Sequence, residues 1–176
     1  MFENLIGRLK IQYKASQNRA LHFDTKFSDN AFVHEILSEK LKFRGFDGYN
    51  NINLTFNELD IIIKKDIKEW KLKLDHMQGV YLLIDDNEGK FYIGSATGES
   101  GIWQGWSNYI YNFTGGNKGL DDLHKQVSPE YFNANFRFVL LEYFTDKTDV
   151  KYVLERESFW KNAFDTRNPL RGYNHN

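Results

Sequence analysis

The chain has 176 residues, 41% of them hydrophobic and 16% aromatic, with 23 Lys and Arg against 24 Asp and Glu for a formal net charge of −1. That content excludes an intrinsically disordered chain, and the near-neutral balance excludes a polybasic nucleic-acid binder while leaving room for a local basic patch. With no cysteine there is no disulfide framework, no Cys-containing metal site and no thiol nucleophile; the N-terminal MFENLIGRLK lacks the apolar run of a signal peptide or membrane span, so a soluble cytoplasmic protein is the expectation.

In chain order, Arg8–Tyr13 and Leu21–Asp24 read as short strands. Ser28 or Asp29 is placed to cap a helix running to about Leu41, with Phe32, Val33, Ile36 and Leu37 on one face. Gly45–Asn51 is turn-rich. Thr55-Phe56-Asn57-Glu58 has capping-box spacing, in which hydroxyl and carboxylate satisfy each other's backbone donors. Behind it Leu59, Ile63, Ile67, Trp70 and Leu74 recur at helical intervals. Lys64, Lys65, Lys68, Lys71 and Lys73 spread over the remaining surface, as a solvated face or a phosphate-facing patch.

Val80–Asp85 and Lys90–Ala96 form a hairpin around Asp86-Asn87-Glu88-Gly89. Thr114–Gly119 reads as a turn before a Leu120–Gln126 helix, with an anion nest as the alternative. Phe136–Phe144 is a further strand expected to join the hairpin, and a final helix runs from Thr148 or Asp149 to about Phe164. Pro129 and Pro169 fall outside these elements. Helices packed on one small sheet make an α+β architecture, with an N-terminal extension over 1–76 packed on a core domain over 77–176.

Two placements follow from periodicity alone. With a four-residue loop Asp85 opposes Lys90 and Tyr92 opposes Leu83, which shares a face with Tyr81 because side chains repeat every second residue. Two phenols therefore converge near one strand edge, either as paired packing or as hydroxyls aimed at a substrate. In the last helix, at about 100° per residue, Glu157 falls inside the stripe of Val150, Val153, Leu154, Trp160 and Phe164, while Glu155 points away. A carboxylate on that face needs a cation, a metal or strong donors; an ion pair with Arg or Lys and a divalent-metal ligand are both open. The histidines His22, His34, His76, His124 and His175 show no metal-ligand spacing.

Gly79-Val80-Tyr81, a ten-residue gap and Tyr92-Ile93-Gly94 resemble the paired signature of the GIY-YIG nuclease superfamily. Gly101-Ile102-Trp103, Trp106-Ser107-Asn108-Tyr109, the Gly-rich Thr114–Lys118, Glu157-Ser158-Phe159-Trp160-Lys161 and Gly172-Tyr173-Asn174 are similar, in order, to the elements that follow it, so the resemblance covers about 77–176. It implies a three-stranded antiparallel sheet flanked by helices and Mg²⁺- or Mn²⁺-dependent cleavage of a nucleic acid, with DNA the expected partner. It also implies that Tyr81 and Tyr92 line the site, one of them deprotonating or orienting the attacking water. A phenol of ordinary pKa near 10 needs a nearby metal to act as base. By the same resemblance Glu157 holds the divalent ion, Tyr109 contacts the phosphate or leaving side, and Asn174 positions the site from the C-terminal tail.

The family's helix after the second motif carries an arginine that stabilises charge developing at phosphorus. Here Gly105 stands in its place in Trp103-Gln104-Gly105-Trp106. Glycine costs a helix interior roughly 1 kcal/mol against Ala and supplies no charge. Arg156, Arg167 and Arg171 are the candidate substitutes. Two functions follow: a nuclease impaired at Gly105, or a nuclease-like module that binds nucleic acid or a partner protein without cutting.

Overall fold

The computed structural model describes residues 9–13, 31–36, 44–99 and 101–175. Two compact units divide between Gly45 and Phe46, so residues 46–76 belong to the same unit as 77–176.

In the first unit, β1 (Leu9–Tyr13) pairs antiparallel with β2 (Ala31–Ile36), from Leu9 opposite Ile36 to Tyr13 opposite Ala31. The helix expected from Ser28 or Asp29 is thereby overturned over 31–36. Phe32, Val33 and Ile36 are strand formers, and a stripe this short fits either period. All three are more than half exposed, so no buried helical face exists there. Ser28, Asp29 and Leu37, like the strand expected over Leu21–Asp24, lie outside the described residues.

The second unit is α+β. In chain order it holds β3 (Asn53–Thr55), α1 (Phe56–Lys64), α2 (Lys68–Leu74), β4 (Gln78–Asp85), β5 (Lys90–Ala96), α3 (Gly101–Asn112), α4 (Lys118–His124), α5 (Pro129–Asn135), β6 (Phe136–Phe144) and α6 (Val150–Ala163). Among the described residues, six α-helices flank one four-stranded antiparallel sheet of order β3-β6-β4-β5. The expected three strands are joined by β3, a segment too short to announce itself, which pairs Leu54 with Phe138 and buries Leu54 completely.

The Thr55 capping box forms as the spacing predicts, with the Glu58 N–H donating to the Thr55 hydroxyl and the Thr55 N–H to the Glu58 carboxylate. The single helix expected behind it is two. Asp66 takes a left-handed conformation (φ 47°), which aspartate tolerates, and accepts Lys71 Nζ at 2.8 Å. Leu59, Ile63, Trp70 and Leu74 are nevertheless buried as the stripe requires. Pro129 opens α5 at its first turn, where its missing N–H costs nothing.

The sheet has two covered faces. Tyr81, Leu83, Tyr92, Phe138 and Leu140 point toward α3 and α1, where Phe56 and Trp106 pack on Phe138. Val80, Leu82 and Ile93 point the other way and meet Val153 of α6, with Trp160 and Phe164 at the margin. Because β5 is an edge strand, its outward backbone groups need partners. The C-terminal tail supplies them in parallel: the Phe91 N–H donates to the Arg171 carbonyl at 3.0 Å, and the Tyr173 N–H donates to the Phe91 carbonyl at 2.9 Å. Among the described residues no helix is long and apolar enough to cross a membrane.

Candidate functional site

The hairpin register sets the first half of the site. Asp85 opposes Lys90, Leu83 opposes Tyr92 and Tyr81 opposes Gly94, so Tyr81 and Tyr92 share a face. Both are buried, and Tyr109 reaches them from α3. The Tyr109 hydroxyl lies 3.1 Å from that of Tyr81, and the Tyr109 ring packs tilted against that of Tyr92 with centroids 6.3 Å apart. Two glycines make room for these rings. A Cβ on Gly94 would sit 2.8 Å from the ring and hydroxyl of Tyr81, and one on Gly115 (φ 57°) would overlap the ring of Tyr109.

Burial pushes all three phenols above their ordinary pKa, Tyr81 and Tyr109 far above it, and each further ionisation would be opposed by its neighbours. The cluster is therefore neutral at physiological pH and offers hydroxyls as donors and acceptors. A phenolate base, one of the two roles the resemblance implies, requires a cation to reverse this direction.

Glu157 sits on α6, with its side chain 13% exposed, while Glu155 is exposed, as the helical wheel predicts. Val153 is buried and Trp160 and Phe164 half-buried beside it; Val150 and Leu154, counted in the same stripe, are exposed. The Glu157 carboxylate accepts the Ser95 hydroxyl at 2.7 Å on Oε2 and the Lys161 ammonium at 2.8 Å on Oε1. Lys161 is itself buried, its side chain 6% exposed. Neither Ser95 nor Lys161 stood out in the sequence. Lys161 was legible as the i+4 partner of Glu157, and Ser95 as the third residue of the Phe91, Ile93, Ser95 alternation.

Glu157 belongs to the helix on the far face of the sheet from the tyrosines. The two halves meet because β5 is the edge, and the negative charge of Glu157 reaches around it, contributing to the upward push on Tyr81 and Tyr92.

Asn174 is buried and its amide pairs with one residue of β5: Oδ1 accepts the Ile93 N–H at 2.9 Å and Nδ2 donates to the Ile93 carbonyl at 2.8 Å. The tail is anchored one residue earlier by Tyr173, whose hydroxyl donates to Asp85 Oδ2 at 2.6 Å. Asp85 is fully buried and also accepts the Tyr131 hydroxyl and the Asn87 and Glu88 N–H groups. This carboxylate ties the hairpin turn, α5 and the tail together, a hub that no motif signals.

Gly105 borders a cleft of about 380 Å³ lined by Ser95, Ala96, Thr97, Glu99, Gly101, Gln104 and Asn108. A Cβ at Gly105 would meet Cβ of Ala96 at 3.0 Å, so close approach of α3 to β5 is a second reason for glycine there. Of the three candidate arginines, Arg156 forks onto Glu142, Arg167 donates to Asn162, and Arg171 lies beside Asp165 with its carbonyl on Phe91, at the opposite end of β5 from Ser95. Lys161 is instead the cation in contact with Glu157.

The Thr114–Gly119 turn is no anion nest. The N–H groups of Thr114 and Gly115 donate to Asn112 Oδ1, and that of Gly116 to the Thr114 hydroxyl. Among the described residues no three His, Asp or Glu side chains gather as a metal cage. Mg²⁺ commonly takes one or two carboxylates and completes its shell with water and substrate phosphate oxygens. The single carboxylate of Glu157 fits a Mg²⁺ or Mn²⁺ ion that completes its shell in this shared way. No family model, curated protein or solved structure matches the chain.

Proposed function

We propose that the chain is a metal-dependent endonuclease of GIY-YIG type that hydrolyses DNA phosphodiester bonds, impaired by Gly105 where the family has a catalytic arginine. The observation that carries this reading is that β5 holds two separately built groups: the packed phenols of Tyr81, Tyr109 and Tyr92, with Tyr81 and Tyr109 hydrogen-bonded, and the carboxylate of Glu157 with Ser95 and Lys161. Packing alone explains three tyrosine rings, but it does not call for a shielded carboxylate and ammonium on the other face of the same edge strand.

In this mechanism the neutral Tyr92 hydroxyl, the most exposed of the three phenols at 8%, holds the attacking water through a hydrogen bond and fixes its line of approach. Tyr109 packs against Tyr92 and is itself held by the Tyr81 hydroxyl, which fixes the Tyr92 ring in place. Glu157 is the residue that would bind Mg²⁺ or Mn²⁺. The chemistry supplied by that ion, when bound, is charge neutralisation at the phosphate and a lower pKa for a nearby water or phenol. Asn174 keeps β5 in register from the tail, which fixes Tyr92 on one face of the strand and Ser95 on the other.

The second reading, a binding module that does not cut, is favoured by one observation: α3 approaches β5 closely at Gly105, so the glycine has a packing role of its own. The deciding experiment is cleavage of plasmid and single-stranded DNA with Mg²⁺ or Mn²⁺, comparing the protein with Gly105→Arg. Nicking by the variant supports the nuclease. Binding without nicking by either form supports the module.

A further inference from the structure

The Glu157 carboxylate is engaged before any divalent ion reaches it. Oε1 accepts Lys161 Nζ at 2.8 Å and Oε2 accepts Ser95 Oγ at 2.7 Å. Both members of the ion pair are shielded, Lys161 at 6% and Glu157 at 13% side-chain exposure, so water and salt screen their charges weakly. The pair is neutral as it stands. A divalent ion binding Glu157 alone would leave the ion, Glu157 and Lys161 with a net charge of two positive units, and among the described residues no three His, Asp or Glu side chains gather as a cage. A DNA phosphodiester arriving with the ion offsets one of them and supplies oxygen ligands.

The edge of β5 is shaped for that arrival. The outward-facing backbone groups of Phe91 and Ile93 are taken by the tail and by Asn174. The next outward position is Ser95, which both lines the cleft beside Gly105 and bonds Glu157. The strand and the carboxylate therefore meet at one residue.

Resting on the reading above, that Glu157 receives the ion, we infer that Lys161 makes ion loading conditional on DNA. Its ammonium serves as the counter-ion of Glu157 in the DNA-free protein, and the divalent ion and the phosphodiester enter as a pair. Lys161 acts through Glu157 and is a positioning residue. The device keeps the site unloaded in free protein and loads it on the strand to be cut.

Calorimetric titration with Mn²⁺ tests this on the full chain, alone, with a phosphorothioate DNA duplex that resists cleavage, and with an uncharged methylphosphonate duplex of the same sequence. The phosphorothioate duplex should raise Mn²⁺ affinity by about tenfold or more, within the span usual for coupled sites, and Mn²⁺ should raise duplex affinity by the same factor. The methylphosphonate duplex should do neither. Lys161→Met should bind Mn²⁺ without DNA about as tightly as the wild type does with it, and Lys161→Arg should restore the dependence. Equal Mn²⁺ affinity of the wild type with and without the charged duplex overturns the inference and leaves the nuclease reading standing, as does an unchanged DNA-free affinity in Lys161→Met. No Mn²⁺ binding under any condition removes Glu157 as the ligand and takes both down. Should Lys161→Met fail to fold, the charged-against-uncharged comparison on the wild type still decides.

Discussion

The side-chain amide of Asn174 does for Ile93 what a neighbouring strand would do, accepting its N–H at 2.9 Å and donating to its carbonyl at 2.8 Å. The residue paired in this way lies between Tyr92 and Gly94, so the tail and the tyrosine cluster share one stretch of backbone. Asn174→Ala leaves two backbone groups at a covered edge without partners, at about 1–3 kcal/mol each, less where water takes over. Urea unfolding should show a loss of roughly that size, and hydrogen exchange should quicken at the Ile93 amide first. Unchanged protection there would mean that the backbone pairing at Phe91 holds the edge by itself.

Gly105→Arg separates charge from backbone when set beside Gly105→Ala. Both gain up to about 1 kcal/mol of helix propensity, and both must ease a Cβ past Ala96, so stability should change little in either. Only Arg adds a cation at the cleft. Metal-dependent DNA cleavage should rise by about 10²–10³ in Gly105→Arg and stay flat in Gly105→Ala. A rise in both would credit helix order rather than charge.

The phenols of Tyr81, Tyr92 and Tyr109 are raised by burial, which fixes the sign of an alkaline prediction. In the unfolded chain each ionises near a pKa of about 10. Their contribution to stability is therefore full below that value and is lost as pH climbs from there through the folded values, at up to about 1.4 kcal/mol per pH unit for each phenol. Ultraviolet titration of the phenolate band should show these three ionising only together with unfolding. Reversible ionisation of any of them in folded protein near the ordinary value would contradict the cluster as described.

Glu157→Gln should abolish Mn²⁺ binding in the presence of DNA, while Glu155→Gln leaves it unchanged, because Glu155 is exposed and the Glu157 carboxylate faces Ser95. Calorimetry on the two variants checks this. Equal retention in both would remove the metal role from Glu157.

What was legible in the sequence divides along physical lines. The hairpin was readable to the residue because a four-residue loop leaves one register, and a wrong register would have turned Tyr92 to the other face. Glu157 was separable from Glu155 because a helix repeats regularly. Segments too short for one period to be told from another were not readable: the six residues of β2 passed for a helix, and β3 has only three. Asp66 interrupts a helix through its backbone angle while the apolar spacing runs on across it. Ser128-Pro129-Glu130 carries a helix-start pattern for α5, because proline is a breaker inside a helix but suits its first turn. The Asp85 hub and the meeting of Glu157 with the tyrosines depend on strand order, which no local pattern encodes.

The unit boundary between Gly45 and Phe46 sets a truncation test. A fragment starting at residue 46 keeps Leu54, Phe56, Leu59, Ile62, Trp70 and Leu74, all buried, whereas one starting at 77 loses them. At roughly 1.5–3 kcal/mol for each buried side chain, the shorter fragment should fail to fold. Circular dichroism melts would show a cooperative transition for 46–176 only. A cooperative melt of 77–176 would mean that its own helices suffice to cover the sheet.

The pairing of the tail with β5 also bears on how the protein behaves in a crowded solution. An unpaired sheet edge invites another chain to add itself as the next strand, and from there to propagate. Here Gly172–Asn174 occupies that position along Phe91–Ile93, and β3 closes the opposite side of the sheet with a strand only three residues long. The last few residues thus work as a stopper against self-association. A fusion, a tag or a clipped end at the C-terminus endangers solubility as much as it does the placement of the site.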